Sequence, residues 1–152
     1  MFSNVRIEKL ILSNYRNHKF LELDLTKNII LICGKNGSGK TNILEAISLI
    51  AKGRGLRNAN IRNLINKEEI NFLIKNDLEI KKNKYDIEIY TEDKNDRLKK
   101  IIKINDDLSK DSLDFLNQSI SYLLFLPEME RLFQASPSYR RNFLDRLIFS
   151  SK

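Results

Sequence analysis

The sequence predicts a single α/β domain, and three features of its 152 residues lead to that prediction. Several segments alternate apolar and polar residues with a period of two, as strands with one buried face do. Residues 29–33 are instead apolar at every position, which is typical of a strand at the centre of a sheet that helices cover on both faces. All five glycines lie between Gly34 and Gly55, and a segment with helical spacing of apolar residues lies among them.

The N-terminal third is expected to form three strands and a helix. Alternation predicts strands at residues 5–12 and 20–25, and the apolar run 29–33 predicts a third strand at 28–33. Gly53 and Gly55 end the helix, and a basic loop follows it. The helix is predicted from its apolar residues, which are Ile43, Leu44, Ile47, Ile50 and Ala51.

The rest of the chain is expected to consist mostly of antiparallel strands. A short helical turn at residues 61–66 precedes an antiparallel meander at about 70–104. Turns within the meander are predicted near residues 76–77, 82–83 and 94–96. The last predicted elements are a short helix at 112–117, an apolar strand at 120–126 and an amphipathic helix at about 138–149. No linker divides the sequence, so we expect one domain over residues 1–152.

The composition limits the kinds of protein that fit. Hydrophobic residues make up 41% of the chain, enough for one core, so disorder as the default state is excluded. Cys33 is the only cysteine and His18 the only histidine, which excludes an internal disulfide and a Cys/His zinc cluster. Neither a signal-peptide core nor a run of roughly 18 apolar residues is present. We therefore expect a soluble, cytoplasmic protein without a membrane partner, whose net charge of +7 permits an anionic partner such as nucleic acid.

The glycine cluster contains a motif with a defined chemical use. Residues 34–41 match the pattern G-x-x-x-x-G-K-[ST] between a predicted strand and a predicted helix, the context that a phosphate loop requires. Glycines let backbone N–H groups converge on one anion, and the helix adds its positive N-terminal end. Lys40 is expected to reach the β- and γ-phosphates, and Thr41 to ligate Mg²⁺. The loop consists of Gly34, Lys35, Asn36, Gly37, Ser38, Gly39, Lys40 and Thr41. The alternative interpretation is a tight strand-to-helix turn.

Further motifs follow the order found in one family. Asn14-Tyr15-Arg16-Asn17 precedes the phosphate loop, and Leu44-Glu45-Ala46-Ile47 follows it. Gly53-Arg54-Gly55-Leu56-Arg57, then Phe125-Leu126-Pro127-Glu128, and last residues 136–145 continue the pattern. In this order the motifs resemble the RecF family of bacterial DNA repair and replication ATPases and its SMC relatives. The resemblance extends along nearly the whole chain.

The resemblance implies an ABC-type ATPase head, of which this chain is the N-terminal lobe, with a mixed or antiparallel sheet and a few helices. It implies ATP and Mg²⁺ as cofactors, with ATP sandwiched between two heads of a homodimer that grips DNA, and recombination mediator proteins as further partners. Residues 34–41 are then ATP contacts. By the same resemblance Arg16 and Arg57 lie near the nucleotide, and Glu128 occupies the place of the Q-loop glutamine of SMC relatives.

Two motifs of the family are missing from these 152 residues. The signature motif and the Walker B strand lie in the second half of the family's chain, so we expect the second lobe to be absent and leave the catalytic residues unassigned. We expect ATP binding with little turnover. Asp106-Asp107 is the only Asp-Asp pair, and a hairpin bend is its ordinary interpretation rather than a magnesium site. Two alternatives stay open, which are a small kinase-like P-loop enzyme and a split or inactive remnant of the family.

Overall fold

A five-stranded antiparallel sheet forms most of the structure, a computed structural model that describes residues 5–50, 55–57, 59–94, 97–120, 122, 136–138, 140–141 and 144–145. The strands are β1 (Val5–Tyr15), β2 (His18–Asp24), β3 (Leu73–Ile80), β4 (Asn83–Lys94) and β5 (Arg97–Ile104), in the order β2-β1-β3-β4-β5. Two α-helices, α1 (Lys40–Ser48) and α2 (Lys110–Ser119), and a short 3₁₀ helix (Ile61–Leu64) accompany them. No helix in the described part of the chain is long and apolar enough to cross a bilayer.

One face of the sheet carries the hydrophobic core, because alternate residues of each strand point to the same side. On β1 these are Leu10 and Leu12, and α1 adds Ile43 and Ala46 to the same cluster. The fully buried members on the other strands include Ile74, Leu78, Ile87 and Ile89. The period-two alternation in the sequence therefore corresponds to a sheet with one buried face, and α1 packs into the core on that face.

The predicted meander is present, but one of its predicted turns is wrong. Strands β3 to β5 pair in sequence with antiparallel register, and Lys81 and Lys82 make the first turn with positive φ angles of 50° and 71°. Asn76 and Asp77, predicted as a turn, lie in the middle of β3. Asn76 pairs with Leu10 of β1 and with Ile87 of β4. Strand neighbours on both sides override the turn preference of Asn-Asp.

The predicted central strand at residues 29–33 is also wrong. The structure has no strand there, and Ile29 and Leu31 are 90% and 84% exposed. A strand that is apolar on both faces needs hydrogen-bonded neighbours and a cover on each face. Among the described residues no strand pairs with this segment, since the sheet runs from β2 to β5 without it. An apolar run shows that a segment is hydrophobic, but it does not specify which surface of the protein would cover that segment.

The other predicted elements agree in place, with shifted ends. Strand β1 continues to Tyr15, α1 begins at Lys40 and ends at Ser48, before the predicted helical residue Ile50, and α2 covers Lys110–Ser119. The 3₁₀ helix occupies the predicted helical turn. The strand predicted at 120–126 lies outside the described residues apart from residues 120 and 122. Of the helix predicted at 138–149, only residues 138, 140–141 and 144–145 are described, and these are helical.

Candidate functional site

The backbone of the phosphate loop adopts a shape that favours glycine at several positions. Gly37 and Gly39 have φ angles of 82° and 97°, in the left-handed region that favours glycine. A side chain on Gly34 would place its Cβ 2.9 Å from the Ser38 Oγ atom. The left-handed backbone angles therefore account for the glycines at positions 37 and 39.

Helix α1 begins directly at the end of this loop. Gly39 is the N-cap residue, and its carbonyl accepts the first helical hydrogen bonds from the N–H groups of Asn42 and Ile43 at 2.9 and 3.2 Å. The first turn contains no acidic residue, so no carboxylate of that turn competes for the positive end of the helix. Thr41, the predicted magnesium ligand, is exposed in that turn. The arrangement leaves the N-terminus of α1 suited to an anion.

The Lys40 ammonium group folds back over the loop. Its Nζ donates hydrogen bonds to the carbonyl oxygens of Gly34 and Lys35, at 2.7 and 2.8 Å. An ammonium group has three donors, so one remains after these two bonds. The lysine is thus held across the glycine loop with its charge beside the backbone that would surround a phosphate.

The turn between β1 and β2 packs against the last glycine of the loop. The His18 Nε2 atom lies 3.3 Å from the Gly39 carbonyl oxygen. A Cβ atom on Gly39 would lie 2.5 Å from His18 Nε2 and 2.6 Å from Asn17 Oδ1. Asn42 Nδ2 also donates to Asn17 Oδ1 at 2.8 Å, which joins the turn to α1. His18 and Asn42 were not singled out from the sequence, since neither belongs to a motif with its own chemistry.

Arg16 forms a bidentate ion pair with Glu45 of α1. Its Nε and Nη2 atoms donate to the two carboxylate oxygens at 2.9 and 2.7 Å, and Glu45 is only 1% exposed. The hydrogen bond with Glu45 raises the pKa of the Arg16 guanidinium, so the charge of this side chain is secured. Arg16 has a φ angle of 54°, unusual for arginine, and its N–H donates to the Leu64 carbonyl at 2.8 Å.

Arg57 reaches the same carboxylate from the basic loop. Its Nη1 atom lies 3.7 Å from Glu45 Oε2 and donates to Asn42 Oδ1 at 3.0 Å. The structure therefore brings Arg16 and Arg57, both expected near the nucleotide, to one carboxylate on the phosphate-loop helix. The role of Glu45 was missed because the apolar pattern predicted Leu44 as a core residue, whereas Leu44 is 41% exposed and Glu45 is buried.

A polar cavity lies beside this cluster. Its volume is about 560 Å³, and Arg16, Asn17, Asn42 and Arg57 belong to its lining. Lys19 and Lys67 add two further positive charges to the lining, against one carboxylate, Glu68. The lining side chains are mostly cationic or amide, and with Lys19 paired to Glu68 at 2.6 Å the lining keeps a net positive charge, which suits an anionic ligand.

The remaining candidate residues lie away from this cluster or outside the residues that the structure describes. Asp106 and Asp107 form the predicted bend after β5, where Asp106 pairs with Lys103 at 2.9 Å and Asp107 accepts hydrogen bonds from Ser109 and Ser112. Within the described residues no three His, Cys, Asp or Glu side chains lie close enough to hold a metal ion. Glu128 lies outside the described residues.

Comparison with known proteins places the chain in a family. Residues 9–147 match the family model described as AAA domain, and the chain belongs to this family. The relatives narrow the similarity to the N-terminal portion of RecF. The chain is 40% identical over 147 residues to the DNA replication and repair protein RecF of Rickettsia massiliae and to that of Rickettsia felis. These alignments cover 97% of this chain and 40% and 39% of the relatives, so the chain spans about two fifths of their length.

Two solved structures share the fold. One is the recombination mediator protein RecF-ATPrS in the RecFOR pathway, with a TM-score of 0.77 and 29% identity, covering 95% of this chain and 38% of that one. The other is RecF-ATP of the same pathway, with a TM-score of 0.71 and 28% identity, covering 97% of this chain and 40% of that one. The fold is therefore that of the N-terminal phosphate-loop lobe of RecF.

Proposed function

We propose that this chain binds Mg²⁺-ATP through residues 34–41, as the N-terminal lobe of a RecF-type ATPase head that acts in DNA replication and repair. The observation that carries the proposal is the position of Lys40, whose ammonium group spans the glycine loop at the first residue of α1. A purely structural turn has no need of an ammonium group held there. The similarity to RecF-ATP over 97% of the chain supports the same conclusion.

Each part of the loop has a distinct task in this proposal. The backbone N–H groups and the start of α1 surround the phosphates, and the Lys40 ammonium neutralises the β- and γ-phosphates. The Thr41 hydroxyl is the side chain that would hold Mg²⁺, which neutralises part of the triphosphate charge when bound. Arg16 and Arg57 add positive charge from the neighbouring turn and loop. By the same resemblance, Glu128 takes the place of the Q-loop glutamine of SMC relatives.

ATP binding by this lobe would act by assembling two heads. In this mechanism the second lobe supplies the signature and Walker B motifs, from the remaining part of a RecF-type chain or from a separate one. ATP bound by one head is capped by the other, so the triphosphate stabilises the closed homodimer over the open one. The closed dimer grips DNA, recombination mediator proteins act on it, and hydrolysis releases it. The net charge of +7 supports a polyanionic partner.

A calorimetric titration with Mg²⁺-ATP tests the first step of this proposal. We expect the 152-residue chain to bind ATP with little turnover, and Lys40→Ala to weaken binding about 10- to 100-fold, because a hydrogen bond to a charged group contributes about 1.5–3 kcal/mol. Lys110→Ala is the matched control, since it removes one exposed lysine from the start of α2. Equal affinity in the Lys40 variant and the unmodified chain would contradict the proposal, provided that circular dichroism shows both folded.

A further inference from the structure

The buried carboxylate of Glu45 is unusual for its place on α1. A buried charge is costly unless it is paired, and well-packed apolar residues commonly stabilise a core as well as a buried ion pair does. Core packing alone therefore does not explain an acidic residue that is 1% exposed on a helix of nine residues. Its partners suggest another reason, because both are arginines next to the phosphate loop.

These contacts close into a ring, which we call the Glu45 network. Its members are Arg16, Asn17, Asn42, Glu45 and Arg57. Asn42 and Glu45 are three residues apart on α1 and so lie on the same side of the helix. Arg57 contacts both of them, and the neighbouring turn residues Arg16 and Asn17 contact one each.

The network leaves its cationic groups available to a ligand. All of its members except Glu45 line the cavity of about 560 Å³ beside the loop. The Arg16 side chain remains 19% exposed and that of Arg57 45% exposed after these contacts, and both residues line the cavity. Two guanidinium groups against one carboxylate leave a net charge of +1. A planar guanidinium fixed in advance suits a phosphate and loses little freedom on binding.

We propose that Glu45 is a positioning residue, which fixes the guanidinium groups of Arg16 and Arg57 beside the phosphate loop for a nucleoside triphosphate without contacting the nucleotide. The inference rests on the proposed nucleotide binding and adds to it the residue that orders the arginines.

Substitution of Glu45 by glutamine tests the inference, since it keeps the size of the side chain and removes its charge. We expect Glu45→Gln to weaken Mg²⁺-ATP binding about 10- to 100-fold, by analogy with the loss that follows when partners of metal-ligating side chains are replaced. In an Arg16→Ala background the same substitution should cost at most about threefold, because the main group to be positioned is already missing. Glu45 keeps Arg57 as a partner in that background.

The readouts separate positioning from a purely structural role. A structural ion pair would lower the unfolding temperature and leave the affinity of the folded protein unchanged, so titrations are run well below unfolding. Unmodified affinity in folded Glu45→Gln, or an equal loss with and without Arg16, would overturn the inference. Should Glu45→Gln not fold, Glu45→Asp keeps the charge and shortens the reach, and we expect a several-fold loss; unmodified affinity there would also overturn it.

The same titration distinguishes the two proposals. If the unmodified chain binds Mg²⁺-ATP, Lys40→Ala weakens that binding as expected and the Glu45 variants bind normally, only the positioning role fails. If the folded, unmodified chain binds no nucleotide, the proposed function is wrong, and the role of Glu45 is wrong with it.

Discussion

Replacing Asn76 with leucine should stabilise the fold. Asn76 is fully buried on the core face of β3, and neither its Oδ1 nor its Nδ2 atom has a hydrogen-bond partner among the described residues. A buried polar group without a partner costs about 1–3 kcal/mol. Leucine has the same branching and number of side-chain heavy atoms, and burying it gains about 1.5–3 kcal/mol. Imperfect packing of the new side chain in the core reduces this gain in stability by about 1–3 kcal/mol.

These values give a net stabilisation of about 2 kcal/mol for Asn76→Leu. For a chain of this size that corresponds to a rise of about 4–8 °C in the unfolding temperature. Urea and thermal unfolding followed by circular dichroism measure both quantities. Asn83→Leu is the matched control, because Asn83 is an exposed asparagine on β4 of the same sheet and should change stability by at most about 0.5 kcal/mol. Destabilisation of Asn76→Leu by more than about 1 kcal/mol would refute the reasoning and show that the amide is satisfied.

Two further predictions concern Asp107 and the phosphate loop. Hydrogen bonds from Ser109 and Ser112 lower the pKa of Asp107 to about 2 from its ordinary 3.8, so the stability they contribute is present above about pH 4 and is lost as the pH falls toward 2. Asp107→Asn should therefore flatten the dependence of the urea midpoint on pH between 5 and 2, and an unchanged slope would contradict this. Gly39→Ala combines a φ angle of 97° with a contact of 2.5 Å to His18, whereas Gly37→Ala, at 82°, meets nothing within 4 Å. We expect about 1–2 kcal/mol of destabilisation for Gly37→Ala and clearly more for Gly39→Ala. The Gly39→Ala variant should also lose Mg²⁺-ATP binding. Equal free energies of unfolding for the two variants would argue against the close contact between Gly39 and His18.

The phosphate loop was predictable from sequence because its geometry is local. The left-handed angles at Gly37 and Gly39, the start of α1 at Lys40 and the bonds of Lys40 to Gly34 and Lys35 all lie within eight residues. The motif therefore contains its own backbone angles and the hydrogen bonds of Lys40, whereas the contacts of His18 and Asn17 with Gly39 come from outside it. The strands of the meander were predictable for a related reason, since one buried face imposes a period of two on any sequence.

The network around the loop was only partly predictable. Arg16 and Arg57 were expected near the nucleotide from resemblance alone, but nothing in their spacing shows that both meet Glu45, which lies 29 residues after Arg16. The helical spacing of apolar residues predicted that Leu44 is buried. In the structure the neighbouring residue Glu45 is buried instead, and Leu44 is exposed. The buried position of a charge can be recognised only when its partners from other elements are known.

Residues 29–33 and the phosphate loop that follows them differ in how they are packed. This difference indicates which contacts keep the candidate site in place. Ile29, Ile30 and Leu31 of the apolar run before Gly34 are exposed, and Ile32 packs only partly against the core, yet the loop is shaped and α1 is formed. The loop and α1 are held by contacts from the turn between β1 and β2. There His18 and Asn17 contact Gly39, and Arg16 pairs with Glu45. The proposed nucleotide binding would therefore draw on groups that this chain contains. Closure of two heads on DNA would draw on more of the length of RecF than this chain matches, so the two activities are separable by experiment.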